Sequence, residues 1–346
     1  ETIENINLDN LNIIGKTNVG GFIGHQYELH NGNIANITAN NIKVVASGNY
    51  AGGIIGYIKD HHTYLLSNLE VKESNIKGNN YVGGATGNGK GNTFKVSDSI
   101  IEGTNYVGGV IGVKDYYNWG DSSRAGYYIA ENLEIYGTSY VGAIGGQVNN
   151  VQASYVNECT VICNSANGKN IGGIAGYASS ISDSAIENSK VQSNATNVGA
   201  ITGFADCPVR NFAYNVKVEG YSNVGGVAGY FPQRDVSNNY LKVDLVANGH
   251  SVGGLVGNLR NGNIPNTSDI HSNYIADSTI KGQSNVGGII GEIAADLYEP
   301  EIYYYGNYVE ADLESEDDTT VSLGIGNRED QNQYLACLLY TSPSPR

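Results

Sequence analysis

Few residues of this chain have the types and spacing that catalysis or metal binding requires. Residues 84–91 read GATGNGKG, which approaches the phosphate-binding P-loop: a glycine, four residues, then Gly-Lys. Gly91 stands where that motif needs Ser or Thr to hold magnesium, and no strand-to-helix step surrounds the segment. No His-Glu-x-x-His motif occurs either. The sequence therefore predicts neither a nucleotide site nor a zinc protease centre.

Three aspartates recur in comparable places, each directly before a serine: Asp98, Asp183 and Asp277. Asp side chains bond to nearby backbone and favour turns, so we interpret these residues as turn formers. His61 and His62 are adjacent, which directs them to opposite sides of an extended segment, and we assign them to a surface loop. We expect no catalytic residue, metal or cofactor. A carboxylate pair for glycoside hydrolysis cannot be located from sequence, so a polysaccharide-degrading enzyme stays an alternative.

Tyrosine, with 26 copies, is the most suggestive residue type for binding. Four tyrosines each stand one residue before a small glycine-rich signature: Tyr50, Tyr81, Tyr106 and Tyr140. Later copies of the signature carry asparagine there: Asn170, Asn197, Asn223 and Asn285. Stacked copies would form a tyrosine ladder and an asparagine ladder, which stabilise the fold through ring stacking and amide hydrogen bonds. A flat aromatic strip for sugar rings is the functional alternative.

Two longer stretches outside the signatures are rich in aromatic residues. The first holds Tyr116, Tyr117, Trp119, Tyr127 and Tyr128, and the second holds Tyr298, Tyr303, Tyr304, Tyr305 and Tyr308. Loops that project from a rigid scaffold commonly carry binding residues, and clustered Tyr and Trp side chains are typical of contact surfaces. We therefore predict that the first insert contacts glycans or host surface proteins.

The signature itself is an aliphatic residue, Gly, then Gly or Ala, two small or apolar residues, and Gly. It occurs ten times, and its first glycines are Gly20, Gly52, Gly83, Gly108, Gly142, Gly172, Gly199, Gly225, Gly253 and Gly287. Nine intervals cover 287 − 20 = 267 residues, so the period is about 30. No window has a sustained helical period, and short alternating segments before each signature read as strands that reach a corner.

This repeat predicts an all-β fold, a right-handed parallel β-helix or β-solenoid of about ten coils of 25–34 residues. We expect two aliphatic columns to point inward: the residue before each anchor glycine, and the residue two positions after that glycine. Glycine at the corners would supply positive φ and let successive turns approach closely. Cys159, Cys163 and Cys207 have no CxxC spacing, and we expect buried free thiols.

Composition narrows the partners. Charged residues are only 15%, and the net charge is −15 with a pI near 4.7. Phosphate binding requires clusters of Lys and Arg, so nucleic acid is not an expected partner. No apolar run of 18 residues occurs, so we expect no membrane insertion.

The segment Val252-Gly253-Gly254-Leu255-Val256-Gly257 resembles the GLUG repeat of large bacterial surface proteins. These include adhesin-like proteins and the non-catalytic region of IgA-cleaving metallopeptidases. The resemblance extends through ten anchors over roughly residues 1–295. It implies a non-enzymatic segment at the cell surface or outside the cell.

The expected organisation is a GLUG-like solenoid over 1–330, a tail over 331–336, and a foreign segment over 337–346. The last ten residues, CLLYTSPSPR, resemble translated sequencing-adapter sequence. We therefore expect a metagenomic fragment that is truncated at both ends. The predicted function is a stalk or adhesin segment of a larger surface protein. The non-catalytic region of a secreted peptidase or other hydrolase, and a β-helix polysaccharide-degrading enzyme, remain the alternatives.

Overall fold

The computed structural model describes residues 2–27, 32–59, 65–89, 91–114, 126–232, 235–260, 268–294, 302–317, 320–328 and 339–340. Throughout these ranges the chain forms strands, bridges, turns and bends. These ranges contain no helix, and therefore no helix that could cross a membrane. The strands stack in parallel as a β-solenoid of about nine turns. This confirms the predicted fold class, an all-β parallel solenoid. About nine turns agree with ten anchors, which enclose nine intervals. The handedness stays a prediction.

Contacts divide the chain into two units. Unit 1 comprises residues 1–163 and 173–178, and unit 2 comprises residues 164–172 and 179–346. One strand, Ala175–Ser182, has its first half in unit 1 and its second half in unit 2.

Unit 1 contains two sets of parallel strands. The larger set is Thr2–Asp9, Asn12–Gly15, Val19–Gly20, Asn33–Asn40, Lys43–Ala46, Ala51–Gly52, Leu65–Lys72, Asn75–Lys77, Asn80–Gly83, Thr93–Glu102, Asn105–Gly108, Tyr127–Tyr136, Ser139–Gly142, Tyr155–Asn157 and Thr160–Cys163. The smaller set is Ile23–Gln26, Ile55–Ile58, Thr86–Asn88, Ile111–Val113 and Gly145–Gln152.

Unit 2 has the same organisation. Its larger set is Lys169–Gly172, Ala185–Glu187, Lys190–Ser193, Thr196–Gly199, Phe212–Gly220, Ser222–Gly225, Tyr240–Gly253, Tyr274–Gly287, Asn307–Ser315, Val321–Ser322 and Leu339–Tyr340. Its smaller set is Thr202–Val209, Ala228–Phe231, Asp235–Ser237, Val256–Arg260, Ser268–His271, Ile290–Ala294, Ile302–Tyr305 and Ile325–Arg328.

The anchors pair with one another in register. In unit 1, Val82 pairs with Ala51 and with Val107, and in unit 2, Val224 pairs with Val198 and with Val252. The residue before every anchor glycine is buried. The residue two positions after each anchor glycine is also buried, apart from Phe22, which is partly exposed. The two aliphatic columns therefore point inward as predicted, and they remove apolar surface from water in every coil.

Sequence reasoning was wrong about one role of the anchor glycines. Among the described glycines only Gly306 has positive φ. The anchors are needed for close approach: a Cβ atom on Gly108 would collide with the carbonyl oxygen of Ile111, and one on Gly253 with that of Val256. Positive φ falls on non-glycine residues at the corners, most often asparagine, whose short polar side chain tolerates this conformation.

Two further details differ between expectation and structure. A tenth pairing between anchors, Val286 with Val321 and Gly287 with Ser322, extends the stack to an eleventh, degenerate signature that the sequence repeat does not reveal. Cys159 and Cys163 are buried free thiols as predicted, whereas Cys207 is partly exposed. Burial raises the pKa of the Cys159 thiol to about 12, so this group is protonated and unreactive at neutral pH.

Candidate functional site

The tyrosines before the anchors of unit 1 form a continuous ladder, as the sequence predicted. The ring centroids of Tyr50 and Tyr81 lie 4.6 Å apart, those of Tyr81 and Tyr106 5.0 Å, and those of Tyr106 and Tyr140 4.7 Å. Neighbouring planes differ by only 10–13°. All four residues have positive φ, from 56 to 62°, so each ring projects from a left-handed corner.

More aromatic groups continue from one end of this ladder. Tyr57 meets Tyr50 edge-on at 4.8 Å, and His25 meets Tyr57 edge-on at 5.0 Å. Tyr27 follows at 6.1 Å from His25, and the Lys59 ammonium lies 4.4 Å from its ring centroid. Partial burial raises the pKa of Tyr106, so its hydroxyl stays protonated. The ladder is thus a half-buried structural contact between coils.

A pile of near-parallel rings has a consequence for binding. Each inner ring, such as Tyr81 or Tyr106, has a neighbouring ring over both of its faces. A sugar stacks on the face of an aromatic ring, and these faces are largely covered. The geometry of the unit 1 ladder therefore favours the structural interpretation over an aromatic strip for sugars.

The first aromatic insert is only partly described. Tyr116, Tyr117 and Trp119 lie outside the described residues. Tyr127 is 44% exposed, but Tyr128 is fully buried, 5.7 Å from the Phe94 ring, and its hydroxyl donates a 3.1 Å hydrogen bond to the Gly91 carbonyl. Burial raises the pKa of Tyr128 well above its usual value. Successive residues of a strand point to opposite sides, so Tyr127 faces solvent and Tyr128 packs in the core, where it cannot reach a partner.

The second insert also divides between core and surface. Tyr304 is buried, whereas Tyr303 and Tyr305 are exposed, and Tyr298 lies outside the described residues. Tyr305 stacks on His271 with centroids 4.7 Å apart and planes at 3°.

A second aromatic ladder, which sequence reasoning missed, runs through unit 2. Phe212 stacks on Tyr240 at 5.2 Å, Tyr240 on Tyr274 at 5.2 Å, and Tyr274 on Tyr308 at 4.5 Å, with interplanar angles of 7–15°. Tyr240 is 37% exposed and Tyr274 is 40% exposed, so the two central rings lie on the outer surface, whereas Phe212 and Tyr308 are partly buried. The available signal was an asparagine directly before each ring.

Those asparagines form a buried amide ladder beneath the rings. Asn211 donates to Asn239 (3.1 Å), Asn239 to Asn273 (3.0 Å), and Asn273 to Asn307 (3.0 Å), through side-chain amides. Each acceptor oxygen also receives the backbone N–H of the preceding asparagine, at 2.9–3.1 Å. Buried amides are stable only when hydrogen-bonded, so this ladder holds the strand register that aligns the rings.

A row of polar side chains adjoins the exposed rings. Tyr214 lies on the same strand as Phe212, with ring centroids 5.9 Å apart, and pairs with Lys242. The Lys242 ammonium contacts the Asp277 carboxylate at 3.2 Å, and this hydrogen bond raises the pKa of Lys242. In the next coil the Tyr308 hydroxyl donates to Glu310 at 3.0 Å. Donors and acceptors therefore border the ladder.

The three aspartates occupy left-handed backbone positions, but only Asp183 lies in a bend, whereas Asp98 and Asp277 lie within strands, so the interpretation as turn formers was wrong for these two. Asp98, Asp183 and Asp277 have φ values of 50, 54 and 45°. Asp98 accepts a 2.9 Å hydrogen bond from the Asn132 amide, which lowers its pKa, and Asp183 accepts two from Arg210. Among the described residues, no group of three or more His, Cys, Asp or Glu side chains could hold a metal ion.

Comparison of the chain with protein-family models, curated proteins and solved structures returned no match. The resemblance to GLUG-repeat surface proteins therefore stays a prediction.

Proposed function

We propose that this chain is a non-enzymatic, extracellular repeat segment, a stalk within a larger bacterial surface protein, which holds binding side chains for glycans or host proteins. One observation carries the proposal. The side chains that recur from coil to coil, the tyrosine ladder of unit 1 and the amide ladders of unit 2, all bind one coil to the next.

A second, partly buried amide ladder in unit 2 also binds one coil to the next. Asn197 donates to Asn170 at 2.9 Å, and Asn223 donates to Asn197 at 2.9 Å, at the position that holds tyrosine in unit 1. Each coil can be added through the same contacts to its neighbour, which is the behaviour of a repeat protein that extends in one direction. Scaffolds of this kind position binding residues on their loops and outer faces.

The proposal is tested by mixing the purified chain with neutral and acidic soluble polysaccharides. Retention is measured by affinity electrophoresis, and turnover by reducing ends and by viscosity. We expect retention by at least one polymer without new reducing ends and without loss of viscosity. Release of reducing ends, or a fall in viscosity, would replace this proposal with the polysaccharide-degrading enzyme.

A second measurement concerns the first aromatic insert. Trp119→Ala and Tyr117→Ala remove two of its largest rings. If these variants keep all glycan and cell binding of the native chain, the insert is not the binding site, and another surface must supply it.

A further inference from the structure

We propose that the outer surface of unit 2 formed by Phe212, Tyr240, Tyr274, Tyr308, Tyr214, Lys242, Asp277 and Glu310 binds an extended neutral polysaccharide. This surface is called the unit 2 aromatic face below. The inference rests on the proposed function, since it names the ligand class and the site through which a non-enzymatic segment binds.

The outer edges of the two central rings are accessible. Tyr240 and Tyr274 stack at 5.2 Å with planes 10° apart, so their faces are largely covered, as in unit 1. Their exposures of 37% and 40% therefore belong to ring edges and phenol hydroxyls that face solvent. Sugar C–H groups can contact these edges, and sugar hydroxyls can bond to the phenol oxygens.

The neighbouring row supplies the polar contacts that sugar hydroxyls need. Lys242 is a donor, and the carboxylates of Asp277 and Glu310 are acceptors. Lys242 and Asp277 contact each other at 3.2 Å, and Glu310 is held by the Tyr308 hydroxyl at 3.0 Å. These groups are therefore oriented at the edge of the rings before any ligand arrives, which lowers the entropic cost of binding.

The charges around the rings favour a carbohydrate over other macromolecules. The centre of a protein interface is depleted of charged residues, whereas this ladder directly adjoins Lys242, Asp277 and Glu310. The next positions along the strands add Asp244, Thr279 and Asp312, which pair with one another. The negative charge of these carboxylates repels phosphate and uronate polymers. A neutral glycan has hydroxyls for the polar row and no charge to repel.

The spacing of the rings favours a polymer over a single sugar. Phe212, Tyr240, Tyr274 and Tyr308 come from four successive coils in direct register. Strands of successive coils lie ~4.8 Å apart, which is close to the advance per sugar of an extended β-linked chain. A glycan that runs across the coils would meet an equivalent ring at each step.

The test is affinity electrophoresis of the full chain in gels that contain hydroxyethylcellulose, a neutral β-linked glucan. Tyr240→Thr/Tyr274→Thr removes two central rings and keeps strand-compatible side chains. Tyr81→Asn/Tyr106→Asn is the matched control, since it removes two rings of the unit 1 ladder and leaves unit 2 intact. We expect about tenfold or greater weakening for the first variant and less than about twofold for the control. Circular dichroism verifies that both variants keep the native β spectrum.

The remaining outcomes each decide the matter. Equal weakening by both double variants, or none by either, overturns the unit 2 assignment. Stronger retention by carboxymethylcellulose than by hydroxyethylcellulose overturns the neutral ligand class. Binding that disappears in Trp119→Ala but persists in Tyr240→Thr/Tyr274→Thr overturns the inference and leaves the proposed function standing. Cleavage of the polymer overturns the proposed function itself.

Discussion

The two units place their aromatic rings at different positions of the same repeat. Before the anchor glycine, unit 1 has tyrosines such as Tyr81 and Tyr106, and unit 2 has asparagines such as Asn197. At a second position, three residues before an aspartate with positive φ, the aromatic residue is found in unit 2 instead. Unit 1 has Lys95 before Asp98, and unit 2 has Tyr274 before Asp277. The unit 1 ladder is therefore half-buried throughout, whereas the two central rings of the unit 2 ladder, Tyr240 and Tyr274, are exposed.

This difference shows that a left-handed corner accepts two kinds of ladder. The φ of Tyr81 is 60° and that of Asn197 is 58°, so the backbone is the same. A stacked ring pair contributes ~0.5–1.5 kcal/mol, and a side-chain amide hydrogen bond contributes a similar amount. The stacking and amide contributions are therefore of similar size per contact, and what differs is which side chains remain at the surface.

The largest expected effect is common to both units and comes from the anchors. Gly108→Ala and Gly253→Ala should each destabilise the fold by about 3 kcal/mol or more, because the new Cβ overlaps a backbone carbonyl that cannot move aside. Urea unfolding followed by circular dichroism measures the loss. The control is Gly306→Asn, where φ is +63° and the nearest atoms to a Cβ lie 3.8 Å away. Equal tolerance at Gly108 and Gly306 would contradict the close-approach role.

Buried polar side chains that bond across coils should contribute differently in the two units. They are the amide ladder in unit 2, and in unit 1 the Ser99 hydroxyl, which accepts the Ser74 N–H at 3.0 Å. Asn239→Ala removes the acceptor of the Asn211 side-chain and backbone N–H groups, and the donor to the Pro208 carbonyl. It should lower the free energy of unfolding by about 2–4 kcal/mol. In unit 1, Ser99→Ala leaves one buried donor, the Ser74 N–H, and should cost about 1–2 kcal/mol. Hydrogen exchange in each unit reports the two losses separately. A larger loss for Ser99→Ala would show that the amide ladder does not hold the register.

A smaller effect tests whether the two corner ladders are interchangeable. Tyr81→Asn loses two stacked neighbours and should cost about 1–2 kcal/mol. Tyr81→Asn/Tyr106→Asn can form a new amide bond, whereas Tyr81→Gly/Tyr106→Gly accepts the same φ without one. The asparagine pair should therefore be more stable than the glycine pair by about 1 kcal/mol in urea unfolding. Equal stability of the two pairs would mean that amides do not replace rings at this corner.

The smallest effect is a pH dependence at one exposed corner of unit 1. The Asn132 amide lowers the folded-state pKa of Asp98 below its usual 3.8. A lowered pKa gives stability that is present above pH 3.8 and is lost as the pH falls through the folded-state value. Asp98→Asn should be less stable than the native chain at pH 7 by under about 0.5 kcal/mol, because the pair is exposed. The free energies of unfolding of the two chains should converge once the pH lies below the folded-state pKa of Asp98, and a difference that persists in strong acid would exclude this cause.

Several residues show where sequence reasoning succeeds and where it stops. The anchor columns and the Tyr50–Tyr140 ladder were predictable, since each is defined by its offset from a glycine signature. A constant offset of six residues before the Val252 anchor predicts Val246 as an inward residue, yet Leu245 is the buried residue that pairs with Val218 and Ile280. The register shifts between Ala247 and His250, and one extra residue reverses which side chain points inward.

The burial of Tyr128 and the exposed ladder of unit 2 were missed for the same reason. Coils differ in length by several residues, and irregularities such as the shift between Tyr214 and Val216 decide which side chains stack. Periodicity alone does not locate such shifts.

By itself the sequence determined the parallel solenoid and its inward columns, because glycine and aliphatic side chains recur at constant offsets and each coil buries its apolar face only against its neighbours. The tertiary structure alone decided which aromatic residues are core, which join a half-buried ladder, and which form the unit 2 aromatic face. That choice depends on the register between strands that are about 30 residues apart in the chain, and on amide ladders that form only once those strands have met.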